Sequence, residues 1–202
     1  MTAPRRLIVG ISGASGAVYG LRLLELLRGT NVETHLVLTR AADVTREHEL
    51  DLSAKELRAL ADVCYPVTDI GAAIASGSFR TMGMIVAPCS VRTLAEIATG
   101  VTGNLLTRAA DVVLKERRRL VLLFRETPLH LGHIRNMLAV TEAGAIVMPP
   151  VPAFYSRPAS LDAMVTATVC RALDLFDVDV GRLARWGEDL PTRPQRGDPA
   201  AR

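Results

Sequence analysis

The stretch Leu7-Ile8-Val9-Gly10-Ile11-Ser12-Gly13-Ala14-Ser15-Gly16-Ala17 decides the fold. Leu7 to Ile11 is apolar without alternation, which is how a strand buried on both faces reads. It passes straight into small residues. Beyond them, Ala17 to Arg28 places Leu21, Leu23, Leu24 and Leu27 at near-helical spacing, and Gly29 supplies the left-handed stop. Strand, glycine turn and helix form the first unit of a parallel α/β sheet. Unpaired N–H groups and the positive helix end converge at the turn, where an anion can sit. No Gly-Lys-Ser/Thr follows, so the turn is not a P-loop. The full dinucleotide glycine pattern is missing, as is an acidic residue at the end of the second strand. A mononucleotide fits better than a dinucleotide.

Working outward, Val32 to Leu38, Met84 to Ala87, Leu120 to Phe124 and Ala145 to Met148 read as further buried strands. Helical patterns lie between them. Ser53, three residues before Glu56, opens Ala54 to Val63 as a capping box, and Ser160 opens Leu161 to Phe176. Thr93 to Ala98, Leu105 to Lys115 and Leu131 to Ala143 complete the helices. The expected fold class is α/β: a single-domain, three-layer αβα, Rossmann-like (flavodoxin-like) parallel sheet with helices on both faces. Residues 1–187 are expected to form this domain. The polar, proline-bearing 188–202 tail is expected to be poorly ordered. Asp69 to Ser78 reads as a loop of small residues, either flexible or open to close approach by a ligand or neighbouring subunit.

At 202 residues and 49% hydrophobic content the chain can bury one sizeable core. Its net charge of +3 is too small for the dense cationic face of a nucleic-acid binder. Aromatic residues are only 4% of the chain, leaving few rings to stack on bases. Cys64, Cys89 and Cys170 are odd in number, widely spaced and free of a C-x-x-C pair, which disfavours a disulfide framework and a zinc site. The first glycine comes too early for a signal h-region, and no apolar run reaches the ~20 residues that cross a bilayer. A cytoplasmic protein without membrane or nucleic-acid partners is expected.

A second turn, Pro88-Cys89-Ser90-Val91-Arg92-Thr93, follows the central strand and brings hydroxyls and amides to another carboxyl end. Two such turns can share one ligand, although Ser90 also suits a helix N-cap. Cys89 reads as a small core residue rather than a nucleophile. His130-Leu131-Gly132-His133 lacks a third ligand, so no metal is assigned, and His130 is expected to order the loop after Glu126. Lys115-Glu116-Arg117-Arg118-Arg119 is a charge run of the kind that usually ends a helix in solvent.

The chain resembles the UbiX-type flavin prenyltransferases from Arg6 to Trp186. The matching blocks are Gly10 to Ala17, Pro88-Cys89-Ser90, Leu106 to Val112, Leu114 to Arg118, Arg125 to His130 and Met148 to Tyr155. The resemblance implies FMN positions at Gly13, Ala14, Ser15, Thr39, Ser90, Val91, Arg92, Thr93 and Arg125. It implies dimethylallyl phosphate contacts at Tyr155 and Arg171. Ser15, Glu49, Arg108, Lys115 and Glu126 match residues that line the reacting centre and the phosphate. It also implies a homododecamer with sites at subunit junctions, and a product, prenylated FMN, that serves a UbiD-type decarboxylase.

The implied chemistry is a metal-free prenyl transfer from dimethylallyl monophosphate to reduced FMN, at N5 and then at C6. A phosphate leaving without Mg²⁺ needs cations and proton donors, for which Lys115, Arg108, Arg171 and the Tyr155 hydroxyl are candidates. Ring closure strips a proton from a flavin carbon, with Glu126 the candidate acid/base. Glu49 would relay protons through Ser15, and Trp186 would face an allylic cation. The sequence departs from the family at Leu120, where proline is common, and at Leu50, where threonine is usual. Two other readings remain at this stage. Cysteine-decarboxylating flavoproteins share the fold, but here the second turn has no Asn and His48 is a loose match for their histidine. A non-catalytic flavin-binding accessory subunit is the other.

Overall fold

The computed structural model describes residues 5–189. Strands β1 (Arg5–Ile11), β2 (Val32–Leu38), β3 (Val63–Tyr65), β4 (Gly83–Cys89), β5 (Arg119–Phe124) and β6 (Ile146–Val147) are joined by helices. These are α1 (Ala17–Leu27), α2 (Arg40–Glu49), α3 (Ala54–Arg58), α4 (Val91–Thr99), α5 (Leu105–Lys115), α6 (Leu131–Glu142) and α7 (Leu161–Asp174). All strand pairings are parallel and the order is β3-β2-β1-β4-β5-β6. The chain winds one way from β1 to β3 and the other way from β4 to β6. The direction therefore reverses between β1 and β4, and the crevice at their carboxyl ends is where sheets of this kind take ligands.

Burial follows the two-residue period of the strand. Leu7, Val9 and Ile11 of β1 pack with Leu23, Leu24, Val169 and Leu173 of α1 and α7. Ile8, pointing the other way, packs with Leu94, Leu106, Ala109 and Val140 of α4, α5 and α6. All seven residues of β4 are buried, so truncating one of its large side chains costs ~2–5 kcal/mol. This double-sided core holds the two carboxyl-end turns in place.

The expected strands and most helices are present, with shifted ends, and Gly29 adopts positive φ. One expectation needs correction: the helix over Ala54–Val63 stops at Arg58. The capping box of Ser53 and Glu56 forms, but Leu57 is the only buried side chain of α3, so no apolar stripe prolongs it. The Asp62 carboxylate instead accepts hydrogen bonds from the Thr34 amide and hydroxyl, each at 2.7 Å, and Val63–Tyr65 adds to the sheet beside β2. Helix α2 was not expected, because its only buried residues are Ala42 and Arg46. The 188–202 segment lies outside the described residues except for Glu188 and Asp189, which turn back onto Arg185. The three cysteines are free.

Candidate active site

The two carboxyl-end turns are fastened to each other by Ser12. Its hydroxyl donates to the Pro88 carbonyl at 2.9 Å and accepts from the Ser90 amide at 2.8 Å. The Ser12 amide bonds to the same carbonyl, and the Thr39 amide bonds to Ile11. Three turns, after β1, β2 and β4, are thus set in a fixed relation by buried hydrogen bonds, the kind that cost most to break. Ser12 was not among the expected site residues, because a small residue after a strand carries no distinctive signal.

Between these turns lies a cavity of ≈ 500 Å³. It is lined by six of the expected flavin-binding residues, Gly13, Thr39, Ser90, Val91, Arg92 and Thr93, together with Asn104, Glu96 and Arg40. The volume falls within the range of sites for cofactor-sized ligands, ~300–1,000 Å³. Thr39 and Ser90 also cap α2 and α4, accepting from the Ala42 and Thr93 amides. Gly13 is needed for close approach, because a Cβ there would stand 2.3 Å from the Ala41 Cβ. Arg92 is turned outward to Glu96 at 2.7 Å, its side chain 85% exposed. Ala14 is buried beneath the turn.

The start of α1 is already partnered. Glu49, the last residue of α2, accepts hydrogen bonds from the Gly16 amide at 2.8 and 3.1 Å and from the Ala17 amide at 2.8 Å. Burial works against its charge, but the Ser15 hydroxyl, these amides and the positive charge of Arg125 outweigh it and hold the carboxyl below its usual range. The free N–H groups read from the sequence therefore meet a carboxylate of the chain itself. A ligand phosphate is left the Gly13-to-Ser15 side of the turn. Gly16 accepts this geometry at φ +106°, where a side chain would also strike the Tyr19 ring.

Arg125 and Glu126 follow β5, with the Arg125 amide bonded to the Cys89 carbonyl at 3.0 Å. Arg125 acts electrostatically on Glu49 and also on Tyr19, whose phenol is pushed up by burial and drawn back by that charge. Glu126 accepts from the Thr127 amide at 2.9 Å. Cys89 is fully buried, and burial pushes its thiol up, away from reactivity. His130 caps α6 by accepting from the Gly132 amide at 3.0 Å, and His133 stacks on it. Among the described residues no group of three His, Cys, Asp or Glu side chains converges as metal ligands do.

The remaining residues fall elsewhere. Tyr155, Arg171 and Arg182 line a separate pocket of ≈ 250 Å³ beside α7. The Trp186 ring meets the Tyr155 ring edge-on, with centroids 5.4 Å apart. Arg108, in the first turn of α5, is bound to Asp111 at 2.8 Å. Lys115 is where single-chain convergence fails. It ends α5 four residues before Arg119, which pairs with Gly83 at the amino end of β4. Ser90 lies beyond the other end of that strand, ~20 Å away along the sheet. Lys115 is instead bonded to Glu116 at 2.5 Å, beside the loop at Gly77. Chain direction already carried this signal: a helix that returns to start a parallel strand must end at the amino edge.

Comparison with known proteins agrees with this geometry. A flavoprotein family model matches residues 1–173. The flavin prenyltransferase UbiX of Escherichia coli K12 is 58% identical over 185 residues, spanning 90% of this chain and 98% of the relative. The chain belongs to the UbiX flavin prenyltransferase family. Among solved structures, AnUbiX (PadA1) in complex with FMN and dimethylallyl pyrophosphate superposes with a TM-score of 0.89 at 51% identity, covering 91% of this chain and 98% of that one. A dodecameric FMN-dependent UbiX-like decarboxylase from Escherichia coli O157:H7 gives 0.88 at 50%, covering 90% and 98%. Among the described residues no helix is long and apolar enough to cross a membrane.

Proposed function

We propose that this chain, as a homododecamer, transfers a dimethylallyl group from dimethylallyl monophosphate to reduced FMN, and that prenylated FMN passes to a UbiD-type decarboxylase. One observation carries the reading. A flavin-sized cavity at the β1/β4 switch stands beside the Ser15, Glu49 and Arg125 cluster, while Lys115 and Arg171, cations suited to a leaving phosphate, lie apart from it within the same chain. A neighbouring subunit completes the site.

The residues present fit FMN. The Gly13-to-Ser15 turn and the Thr39 and Ser90 hydroxyls would offer donors to its phosphate and ribityl chain, and Arg125, next after β5 and close enough to Glu49 to act on its charge, would supply a cation. When bound, reduced FMN supplies two nucleophilic positions, N5 and C6, for the prenyl chain. Lys115, Arg108, Arg171 and the Tyr155 hydroxyl, brought from adjoining subunits, take up the negative charge that grows on the phosphate oxygen as its bond to carbon breaks. The Ser15 hydroxyl, hydrogen-bonded to the ionised Glu49 carboxylate, forms a relay with it: Glu49 takes up a proton freed as the flavin is alkylated, and Ser15 hands one on to the departing phosphate. Glu126 accepts the proton displaced when the ring closes. Trp186 offers its face to the allylic cation. The cytoplasm is the proposed compartment.

The deciding experiment is anaerobic incubation of the protein with reduced FMN and dimethylallyl monophosphate, followed by mass spectrometry of the released flavin. A gain of one prenyl unit is expected. Recovery of unmodified FMN from protein that binds it would leave a flavin carrier instead. Glu126→Gln should retain flavin and stall before ring closure, and wild-type turnover in that variant would remove Glu126 from the mechanism.

A further inference from the structure

Asp174 is the last residue of α7, where the helix dipole disfavours a negative charge. Its side chain is only 16% exposed, and two arginines close on it. Arg171 Nη1 donates to Oδ2 at 2.7 Å. Arg185 donates from both terminal nitrogens, to Oδ1 at 2.9 Å and to Oδ2 at 3.0 Å, the forked geometry that fixes direction as well as distance. Burial opposes the carboxylate charge, and the bonds from Arg185 and Arg171 more than restore it, so Asp174 titrates below its usual range. The Arg185 amide donates in turn to Asp189 at 2.8 Å, closing a turn around Trp186.

Arg171 lines the Tyr155 pocket, and Trp186 packs against the Tyr155 ring beside it. Arg171 forms its wall, and the Arg182–Ala184 segment that precedes Arg185 forms another. Trp186, adjacent to Arg185, stands edge-on to Tyr155. One carboxylate therefore fastens both sides. Arg171 uses one terminal nitrogen on Asp174, and its other donors remain for an anion.

We propose that Asp174 is a positioning residue that aligns Arg171 for the donor's phosphate and, through Arg185, holds the segment carrying Trp186 over the same pocket. This rests on the reading of that pocket as the dimethylallyl phosphate site. Asp174 touches no substrate. Its effect is to restrict two cationic side chains and one ring to a single arrangement before the donor arrives, which lowers the ordering cost of binding.

The test uses full-length, FMN-loaded Asp174→Asn, which keeps the shape and removes the charge. The KM for dimethylallyl monophosphate should rise on the order of tenfold, the loss of one charge-assisted contact, with FMN affinity within about twofold of wild type. Trp186 is the only tryptophan, so emission excited at its absorption edge should shift to the red as it leaves Tyr155. Arg185→Gln lies on an exposed segment and serves if the first variant fails to fold; the same rise and red shift are expected. The double variant should lose no more than the worse single one, and additive losses would overturn the coupling. Unchanged KM in Asp174→Asn beside a raised KM in Arg171→Ala overturns the role of Asp174 alone. Unchanged KM in both overturns the donor-pocket reading and this proposal with it.

Discussion

The crevice at the β1/β4 switch and the pocket beside α7, which the proposed reaction would use together, are made of different material. The first is built from backbone turns at the ends of buried strands, tied together by Ser12 within one chain. The second is built from long side chains, Arg171, Arg182 and Tyr155, on a helix end and an irregular segment, with Trp186 against Tyr155 at its edge, and it lacks Lys115. On the proposed reading, a flavin that must be held in one orientation suits the rigid site. A small donor that enters and leaves suits a pocket assembled from subunits, whose cations can be arranged around a phosphate without distorting the sheet.

The sharpest way to break that comparison is at Lys115. If it completes the site across a junction, Lys115→Ala should lower prenyl transfer by ~10²–10³-fold, as loss of one charge-stabilising donor does elsewhere, and leave FMN binding intact. Co-assembly of Lys115→Ala chains with Glu126→Gln chains should then restore product, because some junctions pair an intact Lys115 with an intact Glu126. No restoration in mixed oligomers would mean that Lys115 serves its own chain.

The rigid side is probed by Gly13→Ala. The added carbon would overlap Ala41, so α2 must retreat or the turn must open, at a cost of about 1–3 kcal/mol. A lower Tm together with weaker FMN retention is expected. Unchanged flavin affinity would show that this turn does not bound the flavin.

Glu49 ties the turn after β1 to Arg125 through charge. Its folded-state carboxyl titrates below its ordinary value of 4.5, so the stability it contributes is present above that pH and fades as pH falls further below it. Acid thermal melts of wild type and Glu49→Gln should differ at neutral pH and converge below about pH 4.5. Parallel curves at all pH values would remove the carboxylate-to-helix contact as a source of stability.

These contrasts also explain what was legible in the sequence. Fully buried parallel strands read as unbroken apolar runs, so β1, β2, β4 and β5 were plain, as were the small-residue turns after β1 and β4. Helix α2 was not, because Arg40–Glu49 buries almost nothing and its Thr39 cap resembles any loop threonine. The three-residue edge strand β3 was absorbed into the helix before it, because the capping box announces where α3 starts and nothing announces its end. The Glu49 contact with the start of α1 spans more than thirty residues, and the Asp174–Arg185 pair spans 11. Such long-range pairs leave no periodic trace. The resemblance identified which side chains matter, and the topology shows which ones a single chain can bring together.

The smallest expected effect sharpens the comparison from inside the rigid crevice. Arg92 and Ser90 both match flavin positions, yet Ser90 is bonded into the turn while Arg92, largely exposed, pairs with Glu96 at the cavity wall. If the crevice works chiefly through its backbone and its buried hydroxyls, Arg92→Ala should change FMN affinity by no more than about threefold, and its exposed ion pair should contribute under ~1 kcal/mol to stability. Ser90→Ala removes a helix cap and a turn contact, and should cost ~0.5–2 kcal/mol along with a larger share of flavin affinity. Titration of both variants with FMN ranks them directly. A greater loss in Arg92→Ala would mean that its guanidinium leaves Glu96 for the flavin phosphate, making the crevice as dependent on mobile cations as the donor pocket is.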